Sequence, residues 1–280
     1  MEKITLNNRL ECPVIGIGTF LLAPADAQNS VREALKMGYR LIDTANAYVN
    51  ERAVGRGMRE SGVPREEIFL STKLWASEYE NENAVEETLE RLGVEYVDLL
   101  YIHQPAGNWL AGYRQLEKAY RDGKAKAIGI SNFEGKYIAE LETQWEIVPQ
   151  FIQVEAHPYF PQDELRVTLD RYGIRLMAWY PLGHGDKSLI EEPVFRKLGE
   201  KYGKSSAQVI LRWHTQTGFV VIPGSKNVAH IRDNLDILDF RLTEEEMAEI
   251  AKLNSGKRYY TRTDEALDSY AAWQPVYEEE

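Results

Sequence analysis

The chain has 280 residues, of which 44% are hydrophobic and 28% are charged. It contains no Pro/Gly-rich linker and no long block of charge, which predicts one globular domain over residues 1–280. A formal net charge of −11 repels phosphate backbones and anionic lipid surfaces, so neither nucleic acid nor a membrane is expected as a partner. The N-terminus lacks a secretion-signal pattern, and no apolar run is long enough to span a bilayer, so we expect a cytoplasmic protein.

The single cysteine, Cys12, has no partner for an internal disulfide and lies in no Cys/His pattern typical of a metal site. We therefore expect no bound metal and a fold stabilised by packing alone, with Cys12 as a small core residue. No heptad pattern or large apolar helix face requires a partner chain, which favours a monomer or a weak oligomer.

Short apolar runs alternate with longer segments of helical period almost to residue 254. The predicted strands are 14–17, 39–43, 68–73, 97–102, 125–131, 151–155, 175–179 and 220–223. The predicted helices are 26–37, 50–60, 83–92, 111–122, 134–141, 162–172, 205–216 and 228–235, the seventh capped by Ser205. Eight strand–helix pairs in a chain of this length predict an α/β fold, a closed (β/α)8 TIM barrel. An open doubly wound sheet is the alternative, and the lack of a glycine-rich phosphate turn after any strand disfavours it.

Two segments lie outside this repeat. Residues 4–6 and 10–12 flank Asn7-Asn8-Arg9, which predicts an N-terminal β-hairpin that closes the barrel floor. After Thr243, a helix reaching about Leu253 leads into an irregular tail that ends at Glu280.

Proton-bearing side chains follow three neighbouring strands. Asp43 ends the second predicted strand with Tyr48 five residues later, Lys73 ends the third, and His103 follows the fourth. Because barrel enzymes hold their reacting groups at the carboxyl ends of the strands, we expect these four to converge. Each has an ordinary structural explanation when taken alone, since aspartates cap turns and lysines extend to solvent. Their grouping favours catalysis.

The chemistry of these four residues suits protonation of a carbonyl oxygen. A phenol with a reference pKa of about 10 is a weak acid at neutral pH unless a nearby cation eases its ionisation. Lys73 is the suitable cation, and Asp43 would keep it charged in an apolar barrel. Tyr48 would then donate its proton, with His103 binding the same oxygen, as hydride reaches the carbonyl carbon.

At these residues the sequence resembles the aldo-keto reductase superfamily. The matching segments are GIGTF at 16–20, LIDTANAYVNERAVGRGM at 41–58, STKLW at 71–75, DLLYIHQP at 98–105, IGISNF at 128–133, QVEAHPYF at 153–160, AWYPLG at 178–183 and VIPGSKN at 221–227. The resemblance implies NAD(P)H-dependent carbonyl reduction, with Asp43, Tyr48, Lys73 and His103 as catalytic tetrad. Short segments after His103 and Pro181 resemble the compact bacterial type, similar to 2,5-diketo-D-gluconate reductases.

The resemblance also implies a cofactor site and a substrate pocket. Ser131, Asn132 and Gln153 would hydrogen-bond the nicotinamide carboxamide, and Trp179 would stack on its ring. The other cofactor-binding residues implied are Thr19, Asp43, Leu182, Gly183, Ser225, Lys226, Asn227, His230 and Asn234. The substrate would contact Tyr48 and His103 between walls made by Phe20, Trp75 and Trp109, with the tail from about residue 256 over one side of the mouth and Trp273 as a further candidate.

The chain departs from the family pattern where many members carry two cations for the adenosine 2′-phosphate. Gly224 supplies no charge and His230 is mostly neutral at pH 7, so NADP(H) would lose charge-assisted contacts. Lys226 and the amides that begin the next helix remain available to an anion. We expect NADP(H) binding with NAD(H) also usable.

Two other functions compete. Lys73 at a strand end could form a Schiff base, as in aldolases, although a paired Asp43 would keep it protonated. The chain could instead keep the fold as a catalytically silent cofactor-binding regulator. The presence of all four tetrad residues favours the enzyme, whose partner would be a small-molecule carbonyl substrate.

Overall fold

The computed structural model describes residues 1–278, so the predicted end of the tail at Glu279 and Glu280 lies outside the described residues. The strands are β1 Lys3–Thr5, β2 Glu11–Pro13, β3 Ile17–Gly18, β4 Leu41–Asp43, β5 Phe69–Leu74, β6 Leu99–Ile102, β7 Ile128–Ser131, β8 Phe151–Glu155, β9 Arg175–Trp179 and β10 Val220–Val221. The helices are α1 Pro24–Lys36, α2 Glu51–Ser61, α3 Ala84–Leu92, α4 Trp109–Arg121, α5 Lys136–Glu142, α6 Asp163–Tyr172, α7 Lys187–Ile190, α8 Pro193–Tyr202, α9 Ser206–Thr217, α10 Val228–Leu235, α11 Glu244–Ala251 and α12 Asp264–Ala272.

Strands β3 to β10 form one parallel sheet in which each strand pairs with the next along the chain. The ends of this sheet meet, because the Gly16 amide donates to the Val221 carbonyl at 2.9 Å and the Val221 amide donates to the Val14 carbonyl at 3.0 Å. Helices follow the strands around the outside. The predicted (β/α)8 barrel is confirmed.

The apolar side chains divide into two layers, as the two faces of a curled sheet require. One layer fills the barrel and includes Leu41, Phe69, Phe151 and Val220. The other joins the outer faces of the strands to the helices. Both faces of the sheet are therefore covered by apolar side chains. The polar side chains at the strand ends are the ones that a substrate can reach.

The predicted hairpin closes the bottom of the barrel. Strands β1 and β2 pair antiparallel with Ile4 opposite Cys12, and the turn between them places Arg9 at a φ of 71°. The Asn8 side chain donates to the Lys126 carbonyl at 2.9 Å, which ties the turn to the barrel. Cys12 is fully buried against the inner layer, as expected of a small core residue.

Three helices were not predicted. Helices α7 and α8 precede the predicted seventh helix, and α12 lies inside the tail that was predicted to be irregular. Helices α8 and α12 begin with ordinary start signals: Pro193 occupies the first turn of α8, and Thr263 caps α12 by accepting from the Ala266 amide. The predicted cap of α9 by Ser205 is confirmed, as part of a capping box with Gln208.

Candidate active site

A buried ion pair lies at the upper end of the barrel. The Lys73 Nζ donates to Asp43 Oδ2 at 2.6 Å and to the Thr44 carbonyl at 2.7 Å. Asp43 ends β4 and Lys73 lies near the end of β5, so the pairing of these strands brings the two side chains together. Both are nearly inaccessible to solvent. A buried charge of either sign is costly unless paired, so each group holds the other in place.

The second oxygen of Asp43 is also satisfied. Ser71 Oγ donates to Asp43 Oδ1 at 2.7 Å and Gln153 Nε2 donates to it at 2.9 Å. The carboxylate therefore accepts from groups on two other strands, β5 and β8. Its orientation, and with it that of Lys73, is fixed by the barrel itself.

Tyr48 lies above this pair on a short 3₁₀ turn, Asn46–Tyr48. The following residue, Val49, has a φ of 55°, a strained value for a β-branched side chain. The Lys73 Nζ is 5.0 Å from the centroid of the Tyr48 ring, and the His103 ring meets it edge-on with centroids 5.6 Å apart. All four residues of the predicted tetrad thus converge.

The protein environment shifts the pKa values of these groups in opposite directions. Burial, then the Asp43 carboxylate, raises the pKa of Tyr48 well above its ordinary value. Burial, then the Lys73 cation, lowers the pKa of His103 well below its ordinary value. At neutral pH the phenol is therefore protonated and the imidazole is neutral.

Desolvation dominates the acidity of Tyr48 in the resting site. Its pKa rises although the Lys73 Nζ lies 5.0 Å from the ring centroid, and the easing of its ionisation by Lys73 stays a prediction. Burial also lowers the pKa of Lys73 against the opposing effect of Asp43. The Tyr48 phenol accordingly keeps its proton in the resting site.

His103 is held by aromatic contact. The Trp75 ring meets it edge-on with centroids 5.0 Å apart. Its Nδ1 is buried and, within residues 1–278, has no hydrogen-bond partner. A neutral imidazole presents one N–H donor, and His103 lines the cavity above Tyr48.

The cavity above the tetrad has a volume of about 1010 Å³. This is at the upper end of the range for small-molecule and cofactor sites. Residues of the predicted sites that line it are Phe20, Asp43, Tyr48, Trp75, His103, Ser131, Asn132, Gln153, Trp179, Leu182 and Ser225. Lys73 is buried beneath it.

One wall of the cavity carries hydroxyl, amide and indole groups. Trp179 Nε1 donates to Asn132 Oδ1 at 3.1 Å, and Asn132 Nδ2 donates to the His103 carbonyl at 3.3 Å. Asn132 has a φ of 63°, a conformation that asparagine tolerates better than most residues. With Ser131 and Gln153 beside it, this wall has the chemistry that a carboxamide-bearing aromatic ring such as nicotinamide requires.

Several predicted residues do not line the cavity. Thr19 is buried and donates to the Asp43 carbonyl at 3.2 Å, and Asn234 is also buried. Gly183 lies in a turn at a φ of 77°. Trp109 begins α4 and packs edge-on against Phe133 at 5.5 Å, so the structure does not bring it to the proposed substrate wall.

The loop between β10 and α10 holds the remaining predicted cofactor residues. Asn227 caps α10 by accepting from the Ala229 amide at 2.9 Å. His230 and Lys226 are exposed, and the Lys226 Nζ lies 3.8 Å from Asp26 Oδ2. A Cβ on Gly224 would lie 3.0 Å from the Gly18 carbonyl, so the loop packs tightly against β3 at this point.

The tail supplies the candidate Trp273 and two cavity residues that the sequence did not assign, Tyr260 and Tyr270. The Trp75 Nε1 donates to the Trp273 carbonyl at 3.2 Å. Tyr180, next to Trp179, also lines the cavity. The aromatic residues of the tail were the one sequence feature that could have indicated these positions. Which of them face the cavity depends on how the tail docks on the barrel.

Within residues 1–278, no cluster of three or more His, Cys, Asp or Glu side chains is arranged to bind a metal ion. The helices in that part of the chain include none long and apolar enough to cross a membrane.

The fold and the site together define a barrel enzyme of the carbonyl-reducing class. Residues 14–255 match the model of the aldo/keto reductase family. A glyoxal reductase of Bacillus subtilis is 44% identical over 271 residues, which cover 95% of this chain and 98% of the relative. A 9,11-endoperoxide prostaglandin H2 reductase of Trypanosoma cruzi is 44% identical over 261 residues, which cover 91% and 92%.

A solved structure agrees with these relatives. The aldo-keto reductase of Bombyx mori in complex with NADP superposes with a TM-score of 0.87 at 32% identity, covering 93% of this chain and 95% of that one. The chain belongs to the aldo/keto reductase family. It is an NAD(P)H-dependent oxidoreductase that reduces carbonyl compounds, the first of the functions considered from the sequence.

Proposed function

We propose that the protein reduces an aldehyde or ketone to the alcohol with NADP(H) as cofactor and Tyr48 as proton donor. The observation that carries this proposal is the position of the Tyr48 phenol at the cavity floor, with the Lys73 Nζ 5.0 Å from its ring centroid and the His103 ring edge-on to it at 5.6 Å. The bound cofactor would supply hydride to the carbonyl carbon.

Each tetrad residue has a separate task in this proposal. As the new C–H bond forms, the carbonyl π electrons move to oxygen, which takes the Tyr48 proton as the phenol O–H bond breaks. Lys73 stabilises the tyrosinate that remains, and Asp43 orients Lys73 through their 2.6 Å contact. His103 donates its single N–H to the same substrate oxygen, where negative charge develops in the transition state.

We assign the nicotinamide end of the cofactor to the wall formed by Ser131, Asn132, Gln153 and Trp179. The fixed amide of Asn132 supports this assignment, as do the Ser131 hydroxyl and the Trp179 ring, which line the cavity beside it. The adenosine end would lie near Ser225 and Lys226. NADP(H) use is supported by the NADP complex of the silkworm relative, and NAD(H) should remain usable because Gly224 and His230 provide no firm cation.

The cavity favours an uncharged, aromatic or apolar carbonyl substrate. Its mouth is made by aromatic rings, namely Phe20, Trp75, Tyr180, Tyr260, Tyr270 and Trp273. Among the described residues that line it, the one charged side chain is Asp43, which is already paired with Lys73. An anionic substrate would lose its hydration without gaining a cation partner.

A matched pair of substrates tests this function. Benzaldehyde and 4-carboxybenzaldehyde present the same reacting group, so NADPH oxidation with each isolates the effect of the carboxylate. We expect kcat/KM to be at least about tenfold higher for benzaldehyde, because desolvating an unpaired charge is costly.

Tyr48→Phe should lower kcat by about 10²–10⁴-fold and leave NADPH binding intact, as measured by fluorescence titration. Undiminished turnover in Tyr48→Phe would refute the assignment of the acid.

A cytoplasmic location and a monomeric or weakly associated state remain predictions. The net charge of −11 supports the second, since it opposes self-association.

A further inference from the structure

Residues 255–262, here called the strap, cross one side of the cavity mouth before α12. Glu155 at the end of β8 lies beneath them and is fully buried. Its Oε1 accepts the Tyr259 amide at 2.6 Å and its Oε2 accepts the Tyr260 amide at 3.0 Å. Both carboxylate oxygens thus bind the backbone of two consecutive strap residues.

The remaining contact of this carboxylate comes from His157, whose Nε2 lies 2.9 Å from Glu155 Oε1. If the strap moved away, Glu155 would lose both main-chain donors and keep this one side-chain partner. Hydrogen bonds to an ionised carboxylate are stronger than those between neutral groups, and water would have to replace them. The two hydrogen bonds therefore oppose opening of the strap.

The strap has further side-chain attachments. Arg262 donates to the Asn132 carbonyl, and the Tyr259 hydroxyl donates to Asp186 Oδ2 at 2.9 Å, both in partly buried positions. Lys257 pairs with Asp186 and Arg258 pairs with Glu134, and these four side chains are partly exposed. Exposed ion pairs contribute little because water screens them. Glu155 differs from them in being buried and in binding the main chain, whatever side chains the strap carries.

The strap is in contact with both halves of the cavity through one residue. The Tyr260 ring meets Trp179 edge-on at 5.6 Å, on the wall assigned to nicotinamide. Its hydroxyl donates to the Tyr270 hydroxyl at 3.1 Å, and the Tyr270 ring meets Trp75 at 5.3 Å on the substrate side. A shift of the Tyr260 backbone would move both walls.

We propose that Glu155 is a positioning residue that fixes the strap, and through Tyr260 sets the shape of the substrate mouth. The hydride and proton transfers do not involve it. Its substitution should affect how bulky substrates bind more than how fast bound substrate reacts. The kinetic part rests on the proposed function, whereas strap attachment can be measured without turnover.

Trypsin measures the attachment directly, because the strap contains Lys257, Arg258 and Arg262. We expect Glu155→Gln to accelerate cleavage at these three sites by about tenfold, since an amide oxygen accepts more weakly than a carboxylate and the amide nitrogen accepts nothing. Mass spectrometry of the fragments identifies the cut. The control is Asp98→Asn, which alters a buried carboxylate that binds the Leu70 amide at 3.0 Å at the opposite end of the barrel. Equal cleavage in wild type and Glu155→Gln would overturn the proposal.

The kinetic readout separates positioning from general damage. Glu155→Gln should raise KM for a bulky aromatic aldehyde by about tenfold, with a smaller change in kcat and in KM for glyoxal. In a Tyr260→Ala background the same substitution should change KM little, because the ring that it positions is gone. A fall in kcat with unchanged KM would contradict the proposal. So would additive effects of Glu155→Gln and Tyr260→Ala on KM. If neither substrate is reduced even by wild type, the proposed function fails while the trypsin result still stands.

A second pair of variants covers the case in which Glu155→Gln does not fold. Tyr260→Ala keeps the amide that binds Glu155, whereas Tyr260→Pro removes it without altering the buried carboxylate. We expect faster strap cleavage in Tyr260→Pro than in Tyr260→Ala. Equal rates would show that this hydrogen bond does not hold the strap.

Discussion

Tyr48 and His103 share one cavity, yet their environment shifts their pKa values in opposite directions. The pKa of Tyr48 is raised, so its proton is lost only when the pH exceeds its ordinary value of about 10. The pKa of His103 is lowered, so the ring gains a proton only below its ordinary value of about 6.5. Neither group changes its charge between these limits.

This electrostatic arrangement predicts a flat pH profile. We expect kcat/KM for carbonyl reduction to vary little from about pH 6.5 to 9.5, because the acid stays protonated and the imidazole neutral over that range. Initial rates of NADPH oxidation in buffers of constant ionic strength provide the measurement. A bend with an apparent pKa between 7 and 9 would show that another titrating group controls the reaction.

The Lys73–Asp43 pair makes a prediction about stability. Lys73→Met leaves Asp43 as an unpaired buried carboxylate and should lower the free energy of unfolding by about 3–5 kcal/mol. Adding Asp43→Asn removes that charge and should recover part of the loss, so the double variant is more stable than the sum of the single effects implies. Urea unfolding of the four proteins measures this coupling, and strict additivity would argue against it.

At the scale of elements, local patterns predicted the strands better than the connections. The apolar runs predicted β8 and β9 with their observed bounds, since buried strands are continuous apolar segments. Helix α12 was missed because its nine residues are marginal alone and gain stability from docking on the mouth. Trp109 was expected beside the substrate, but it is the first residue of α4 and packs against Phe133.

The same distinction holds within the candidate site. Residues at strand ends were predictable, because barrel geometry brings the ends of neighbouring strands together. Tyr260 and Tyr270 were not, because a tail more than 80 residues beyond β9 in sequence reaches the mouth only through tertiary contacts such as Glu155. The sequence indicated a tail over the mouth but not which rings face inward.

The loop from β10 into α10 predicts the cofactor preference. We expect kcat/KM for NADPH to exceed that for NADH by far less than several hundredfold, because Gly224 and His230 offer the 2′-phosphate no firm cation. His230→Arg adds one on the exposed face of α10 and should increase the ratio about tenfold. Lys226→Ala should decrease it. The tight contact between Gly224 and β3 makes position 230 the cleaner test.

Steady-state kinetics with both cofactors measure this ratio. His230→Gln is the matched control, because it changes the side chain without adding charge. A wild-type ratio of several hundred, or a His230→Arg ratio equal to that of His230→Gln, would contradict the assignment of the phosphate to this loop.

At the scale of the whole molecule, the cavity joins segments that are far apart along the chain. Phe20 follows β3, Trp179 ends β9, Ser225 follows β10 and Tyr260 belongs to the strap. Unfolding disperses these segments, so a cofactor that binds among them stabilises only the folded state. At a free concentration about 100 times its Kd, NADPH should contribute about 2.7 kcal/mol, which for a chain of this size raises Tm by about 5 °C.

Calorimetry at equal fractional occupancy of the cofactor site tests how far this stabilisation depends on the strap and Tyr260. NADPH and NADH at equal multiples of their Kd should raise Tm equally, since linkage depends on occupancy and not on chemical identity. In Glu155→Gln the shift at a fixed NADPH concentration should be smaller, because a loosened strap lets Tyr260 move away from Trp179 and weakens binding on that wall. An unchanged shift in that variant would mean that the strap closes over the substrate alone, with the cofactor held by the barrel and its loops.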